Sequence, residues 1–265
     1  MDRLTSHAEL LSLSGDDPWV RWALPDPLQG EVWVHDSVAL VQRLGPRPGF
    51  WVAPLRGRGP TTAEATRVRT ALSELRQGGH LRRLGARAVS VPQEHAEVAH
   101  DVLDLGDGGD WDWMWTTSQP PVDAGGRDVI PLDDRRDAAE LERFTREHNP
   151  RVWTEIGTGR VHHWVGVRGP DGGLVAVGGA EREATGVPHL AGIVTATQHR
   201  GAGLATVVSA ALTRWALAGH GACTLGMFSD NAAARSVYAR LGFRTARAWH
   251  SRMLAFGDGS ASGHG

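Results

Sequence analysis

Residues His189 to Trp215 read HLAGIVTATQHRGAGLATVVSAALTRW, and the rest of this 265-residue chain can be parsed outward from them. HLAGIVTAT, rich in aliphatic and β-branched residues, reads as a strand. Arg200-Gly201-Ala202-Gly203 follows, and Leu204, Val207, Val208, Ala211, Leu212 and Trp215 then lie on one helical stripe. Gly219 and Gly221 stop that helix. Small residues at 201, 202, 203 and 205 let an anion reach the backbone without meeting side chains. The first-turn N–H groups of a helix are unpaired and carry roughly half a positive charge. A diphosphate fits there, and Arg200 adds a fixed cation. The plain alternative is a glycine turn that merely starts a helix.

A second stretch, SDNAAARSVYARLGF from Ser229 to Phe243, puts Asn231 at a helix start, Tyr238 two turns on and Gly242–Phe243 at the exit. Asn231 is a natural N-cap. Tyr238 is the only tyrosine in the chain, where aromatic needs are otherwise met by Trp and Phe, so its hydroxyl suggests a use. Its other reading is a half-buried helix aromatic. Upstream, DVIPL is a short strand, and Asp133 or Asp134 can cap a helix carrying Ala138, Leu141 and Phe144 or Thr145 on one face. VHHWVGV, GLVAVGGAE and HLAGIVTAT form three strands; CTLGMF and RAWHSRML add two more. The order is β-α-β-β-β-α-β-α-β, an α+β domain with a mixed sheet.

The first half holds a shorter version of the same series. EVWVHDSVALVQRL and GFWVAPL look like strands, and RGRG precedes a helix opened by Thr61 with Glu64 at capping-box spacing. Arg56 stands for Arg200, and Gln93 and His100 repeat the spacing of Asn231 and Tyr238. A duplicated unit with a drifted first copy is inferred. Pro120, Pro121, Gly125 and Gly126 suit a connection at residues 117–127. The expected domains are 1–118 and 127–256, with a disordered Gly/Ser tail at 257–265.

Composition narrows the classes. Apolar residues make up 41% and charged ones 22%, ordinary globular usage. A net charge of −2 gives no basic surplus for nucleic acid or a membrane surface. All 28 cations are Arg, so neither a P-loop lysine nor a Schiff-base lysine exists. Cys223 stands alone, which excludes intramolecular disulfides and cysteine-rich metal cages. No signal peptide and no long apolar run is present, so a soluble cytoplasmic protein is expected.

Arg200 to Ala205 match R/Q-x-x-G-x-G/A, and Asn231, Ala234, Tyr238, Gly242 and Phe243 match N-x-x-A-x-x-x-Y-x-x-x-G-F. In these motifs residues 127–256 resemble the GNAT superfamily of acyl-CoA-dependent N-acyltransferases. The two-copy layout is similar to tandem GNAT proteins, with a degenerate N-terminal copy. The resemblance implies two GNAT-like domains, each a mixed central sheet flanked by helices. It implies acetyl-CoA as co-substrate, with Arg200, Gly201, Ala202, Gly203, Leu204, Ala205 and Asn231 at the cofactor. Ile193, Val194 and Thr195 stand where the family's strand bonds the pantetheine arm. An amine would attack the thioester, backbone N–H groups near Ile193 to Thr195 would steady the oxyanion, and Tyr238 would protonate the leaving sulfur. In the first copy Pro60-Thr61 replaces the family's small pair, and Pro60 offers no N–H to a phosphate.

The base departs from the family's pattern: Gly226 stands where many members carry a glutamate. His189 is the best substitute, sharing a face with Ala191 and Ile193 by alternation. Its other reading is a hydrogen-bonded strand-edge histidine. Glu155, Glu181 and Glu183 are weaker candidates, read mostly as solvated carboxylates, and an amine of low pKa would need no dedicated base. No metal is expected, since adjacent His162 and His163 oppose each other and no HExxH or CxxC exists. Cys223 reads as a small buried residue. Trp111, Trp113 and Trp115 alternate onto one face, as core or as a substrate wall or dimer patch, which keeps a homodimer among the partners. The other expected partner is a small-molecule or peptide amine. The alternative function is a non-catalytic acyl-CoA sensor or scaffold.

Overall fold

The structure, a computed structural model, describes residues 1–55, 61–121, 128–152 and 154–255. The first copy's Arg56 to Pro60, most of the expected linker and the expected disordered tail lie outside the described residues. In chain order the elements are β1 (Asp2–Arg3), α1 (His7–Leu13), α2 (Pro18–Ala23), β2 (Val32–His35), β3 (Val38–Arg43) and β4 (Gly49–Pro54). There follow α3 (Thr62–Gln77), α4 (His80–Arg83), β5 (Ala88–Pro92), α5 (Ala96–Val102), β6 (Leu105–Thr116), β7 (Ile130–Leu132) and α6 (Ala138–His148). The chain closes with β8 (His163–Arg168), β9 (Leu174–Arg182), β10 (Pro188–Thr195), α7 (Leu204–His220), β11 (Cys223–Phe228), α8 (Ala232–Arg240) and β12 (Arg244–Leu254).

Two compact units form, and neither is continuous in the chain. Unit 1 holds Met1–Asp17, Asp26–Trp111 and the segment from Ala248 onward; unit 2 holds Pro18–Pro25 and Asp112–Arg247. They depart from a split at 118 and 127 because sheet pairing joins strands far apart in sequence. The second half of β12 pairs antiparallel with β5, from Trp249↔Pro92 to Met253↔Ala88, and so completes unit 1.

Unit 1 orders its sheet β1-β2-β3-β4-β5, followed by its parts of β12 and β6. The run EVWVHDSVALVQRL is a hairpin, because Asp36 and Ser37 take positive φ of 43° and 65° and reverse the chain between β2 and β3. Thr61 caps α3 by accepting the Glu64 N–H at 3.1 Å, as the capping spacing predicts. Val68, Ala71, Leu72 and Leu75 of α3 pack with Leu40, Phe50, Val52 and Val89 in this unit's core.

Unit 2 orders its sheet β7-β8-β9-β10-β11, followed by its parts of β6 and β12. The β-α-β-β-β-α-β-α-β series is observed, from β7 through β12. Helix α7 lays Leu204, Val207, Val208 and Leu212 on one sheet face with Val165, Ala176, Leu190 and Leu225. On the other face Leu141 and Phe144 of α6 pack with Trp164, Val177 and Val194. Leu212 is wholly buried, and truncating such a side chain to Ala costs about 2–5 kcal/mol. Helix α6 starts later than its acidic pair suggested, at Asp137. Asp134 is spent on tertiary contacts instead, accepting Trp164 Nε1–H at 2.8 Å and the Gly159 N–H at 2.7 Å.

Candidate active site

Strand β10 begins in register and then leaves it. Against β9 it pairs regularly from Pro188↔Arg182 to Ala191↔Gly179, then resumes at Val194↔Val177, one residue out of step. Gly192 sits in this bulge at φ +63°, and a Cβ there would come within 2.8 Å of the Trp164 ring. Both constraints demand glycine. On its other side β10 pairs parallel with β11 at His189↔Thr224 and Leu190↔Leu225 alone among the described residues, although β11 continues to Phe228. The two strands part beyond Leu190, and the main chain of Gly192 to Thr195 borders the opening.

The bulge also corrects an expectation. Ile193 does not share a face with His189: the extra residue turns Ile193 towards Val208 and Leu212 of α7, and Val194 towards Leu141 and Phe144 of α6. Thr195 is left with a buried hydroxyl that has no hydrogen-bond partner among the described residues. A three-residue 3₁₀ turn, Thr197–His199, then leads into Arg200 to Gly203, and Leu204 and Ala205 open α7. Gly201 and Gly203 take φ of +81° and +78°, and a Cβ on either would meet open space. Gly203 is the N-cap, with no side-chain cap bond and no acidic residue in the first turn. The helix therefore presents its first N–H groups unspent. Arg200 is exposed and anchored, donating from Nη2 to the carbonyl of His148 at 2.7 Å.

Asn231 caps α8, its Oδ1 accepting the Ala234 N–H at 3.0 Å. Next to it Asp112 of β6 accepts from the Ser229 hydroxyl at 2.9 Å and pairs with the Arg235 guanidinium, which fixes the start of α8. Gly242 ends α8 at φ +87°. Tyr238 is buried, 7% exposed, with its ring edge-on to Phe243 at 5.8 Å. Burial, with a smaller push from Cys223, raises its phenol above the ordinary value, so it carries its proton at neutral pH. Cys223 is buried too, its thiol pushed up to about 12, which removes it as a nucleophile.

His189 lies on the opposite sheet face from Tyr238, since Tyr238 packs with Leu190 and Leu225 and His189 faces Thr224. His189 Nδ1 is 2.9 Å from Thr224 Oγ1 and 2.9 Å from Glu183 Oε1. That same oxygen accepts Trp113 Nε1–H at 2.9 Å. Glu183 is thus no solvated carboxylate; its side chain is 19% exposed. Burial alone would lower the pKa of His189, but the facing Glu183 charge and hydrogen bond outweigh it and hold the imidazole above its ordinary value. Burial opposes the charge on Glu183 in turn, and the pairing with His189 overcomes it, keeping the carboxyl below its ordinary value. The sequence signal for Glu183 is its place two residues beyond Glu181, which pairs with His189 across the hairpin, a register that local patterning leaves open. Glu181 and Glu155 are both taken by Arg160, at 3.2 and 3.5 Å. Gly226 is exposed and offers no side chain.

Residues 130–243 match the family described as "Acetyltransferase (GNAT) family". No curated protein matches the chain significantly. Among solved structures, an acetyltransferase from the GNAT family of Colwellia psychrerythraea is 13% identical with a TM-score of 0.53, covering 96% of this chain and 98% of that one. A GCN5-related N-acetyltransferase from Kribbella flavida is 16% identical, with a TM-score of 0.51 over 95% of this chain and 96% of that one. A third, from Sphaerobacter thermophilus, is 14% identical at a TM-score of 0.51 and covers 82% of this chain and 76% of that one. These likenesses are ones of fold. The matched residues all lie in unit 2. That family performs acyl-CoA-dependent acyl transfer. Among the described residues no helix is long and apolar enough to cross a membrane.

Proposed function

We propose that this protein transfers the acetyl group of acetyl-CoA to a primary amine, on a small molecule or a peptide, by direct attack of the nitrogen on the thioester. The observation that carries this reading is the opening between β10 and β11, bordered by bulged main chain and leading straight to the uncapped glycine start of α7. The residues fit the nucleotide: open space over Gly201 and Gly203 leaves room for a diphosphate, and the buried, unpartnered Thr195 hydroxyl supports a polar occupant beside β10.

When bound, acetyl-CoA would supply the acyl group as an activated thioester. The N–H groups of Gly201 to Ala205 would hold its diphosphate with help from Arg200, and the main chain of Ile193 to Thr195 its pantetheine arm. Asn231 contributes by fixing the start of α8, which carries Tyr238. Donors aimed at a developing oxyanion are worth about 3 kcal/mol each, and holding both reactants together about 7–11 kcal/mol. Tyr238 keeps its proton at Oη and serves as general acid from one sheet face. His189 takes the amine proton from the other. We also propose that unit 1 is a drifted copy with no acyl-CoA site. Its helix start is spent on a Thr61 cap, and Glu64 places a carboxylate in the first turn.

The test is thiol release from acetyl-CoA across a panel of primary amines. Amine-dependent release is expected. Saturable acetyl-CoA binding with no release for any amine would favour a non-catalytic sensor.

A further inference from the structure

Resting on that transferase reading, we propose that Glu183 is a positioning residue for His189. It fixes the proton on Nδ1 so that Nε2 is the nitrogen that accepts the proton of the incoming ammonium group. The carboxylate of Glu183 can only accept, and so can the carbonyl of Pro188, 3.3 Å from Thr224 Oγ1. A bare Nδ1 would set its lone pair against the Glu183 carboxylate oxygen at 2.9 Å, so the Thr224 hydroxyl gives its single proton to one of these two oxygens and not to the imidazole. Nothing near Nδ1 is then left to donate to it, so Nδ1 must carry the hydrogen, shared between Glu183 Oε1 and Thr224 Oγ1 at 2.9 Å each. Neutral imidazole holds one proton, and the lone pair therefore stands on Nε2.

The carboxylate is itself held in place. Trp113, 2% exposed, donates its indole N–H to Oε1 from β6, and the Glu183 N–H bonds the Val187 carbonyl across the turn between β9 and β10. The imidazole keeps 24% of its side-chain surface open, at the last residue pairs before β10 and β11 part. A base is thus oriented at the closed end of the opening, and Gly226 across it leaves room for an acceptor.

The proton balance is simple. The ammonium N–H bond breaks and an N–H bond forms at Nε2, leaving a neutral amine and an imidazolium facing Glu183. The charged groups around His189 are Glu183 and, on β9, Glu181, whose carboxylate is paired with Arg160; Thr224 and Trp113 are neutral. Both carboxylates strengthen the base.

The experiment has two readouts. In full-length protein carrying nitrogen-15 histidine, NMR across pH should show neutral His189 protonated on Nδ1, titrating above an ordinary histidine. In Glu183→Gln that titration should move to lower pH. The acid limb of kcat/KM for a turned-over amine should move down with it, with about a 10–100-fold loss at the plateau. Glu183→Asp should restore part of both, and acetyl-CoA affinity should not change. A neutral His189 protonated on Nε2 in the wild-type protein overturns the proposal without any variant, as does a Glu183→Gln enzyme with an unmoved pH profile. Absence of turnover in the wild type would instead sink the transferase reading, while the NMR result still decides the role of Glu183.

Discussion

Both units run a strand into a long helix beside a parallel neighbour, and the two strands differ in one residue of register. In unit 1, β3 and β4 pair without interruption from Val38↔Pro54 to Arg43↔Gly49. Parallel pairing of β4 with β5 covers Gly49↔Ala88, Phe50↔Val89 and Trp51↔Ser90 and also stops before β4 ends at Pro54, so the bulge is what sets the two units apart. In unit 2 the bulge at Gly192 breaks the register and the parallel pairing ends at Leu190. The helices differ in the same sense. Thr61 caps α3, and Glu64 in its first turn is 4% exposed and bonded to His95 at 2.9 Å; α7 begins at a glycine with nothing spent. A regular sheet and a capped helix satisfy themselves, whereas a bulged strand and an uncapped helix leave polar groups for a ligand.

Substitutions can break or sharpen that contrast. The largest effect is expected at Tyr238. Tyr238→Phe should lower turnover by about 10²–10⁴-fold with acetyl-CoA affinity nearly unchanged, read from steady-state rates and a binding titration. In unit 1 the corresponding His100, an exposed residue 3.2 Å from His250 through their Nε2 atoms, should be replaceable by Gln without such a loss. An equal loss in both variants would erase the asymmetry.

Next comes His95. His95→Ala leaves the Glu64 carboxylate buried without its partner and should cost about 1–3 kcal/mol in urea unfolding. Acetyl-CoA affinity of the folded protein should stay the same. Glu64, Glu94 and His95 have ligand atoms within 4.8 Å of one another, but Glu64 and His95 are spent on each other.

Smaller still are the caps. Thr61→Ala and Asn231→Ala each remove one N-cap acceptor and should each cost about 1 kcal/mol. Of the two, only Asn231→Ala should alter acetyl transfer, because α8 carries Tyr238.

The pH dependence of stability has a sign that separates the two members of the dyad. His189, raised in the folded state, contributes stability that is complete below its ordinary value of 6.5 and is lost as pH rises through the folded value. Glu183, lowered, contributes above its ordinary value of 4.5 and loses it as pH falls through the folded one. Urea midpoints should therefore carry the full contribution of the pair between those two values, and Glu183→Gln should flatten that dependence.

Much of unit 2 was legible in the sequence because its signals are local. The stripe from Leu204 to Leu212 and the CTLGMF strand appear where the periodicity puts them. The capping spacing of Thr61 and Glu64 is equally readable, and the same spacing in Ser6 and Glu9 opens α1 with a bond of 3.2 Å. The rest depends on partners far along the chain. Nothing local shows that residues from Ala248 onward pair with β5, or that Trp113 would reach Glu183. The bulge at Gly192 escaped for a different reason: alternation counts residues, and one added residue moves Ile193 to the other face without altering composition.

The most direct measurement is titration calorimetry of the full-length chain with acetyl-CoA, beside Gly203→Glu. The account predicts one molecule bound per chain, and no heat in the variant, whose fold survives because a Cβ at Gly203 meets open space and the positive φ costs only about 1–2 kcal/mol. No heat from the wild type at millimolar acetyl-CoA, two molecules per chain, or undiminished binding in Gly203→Glu would contradict it.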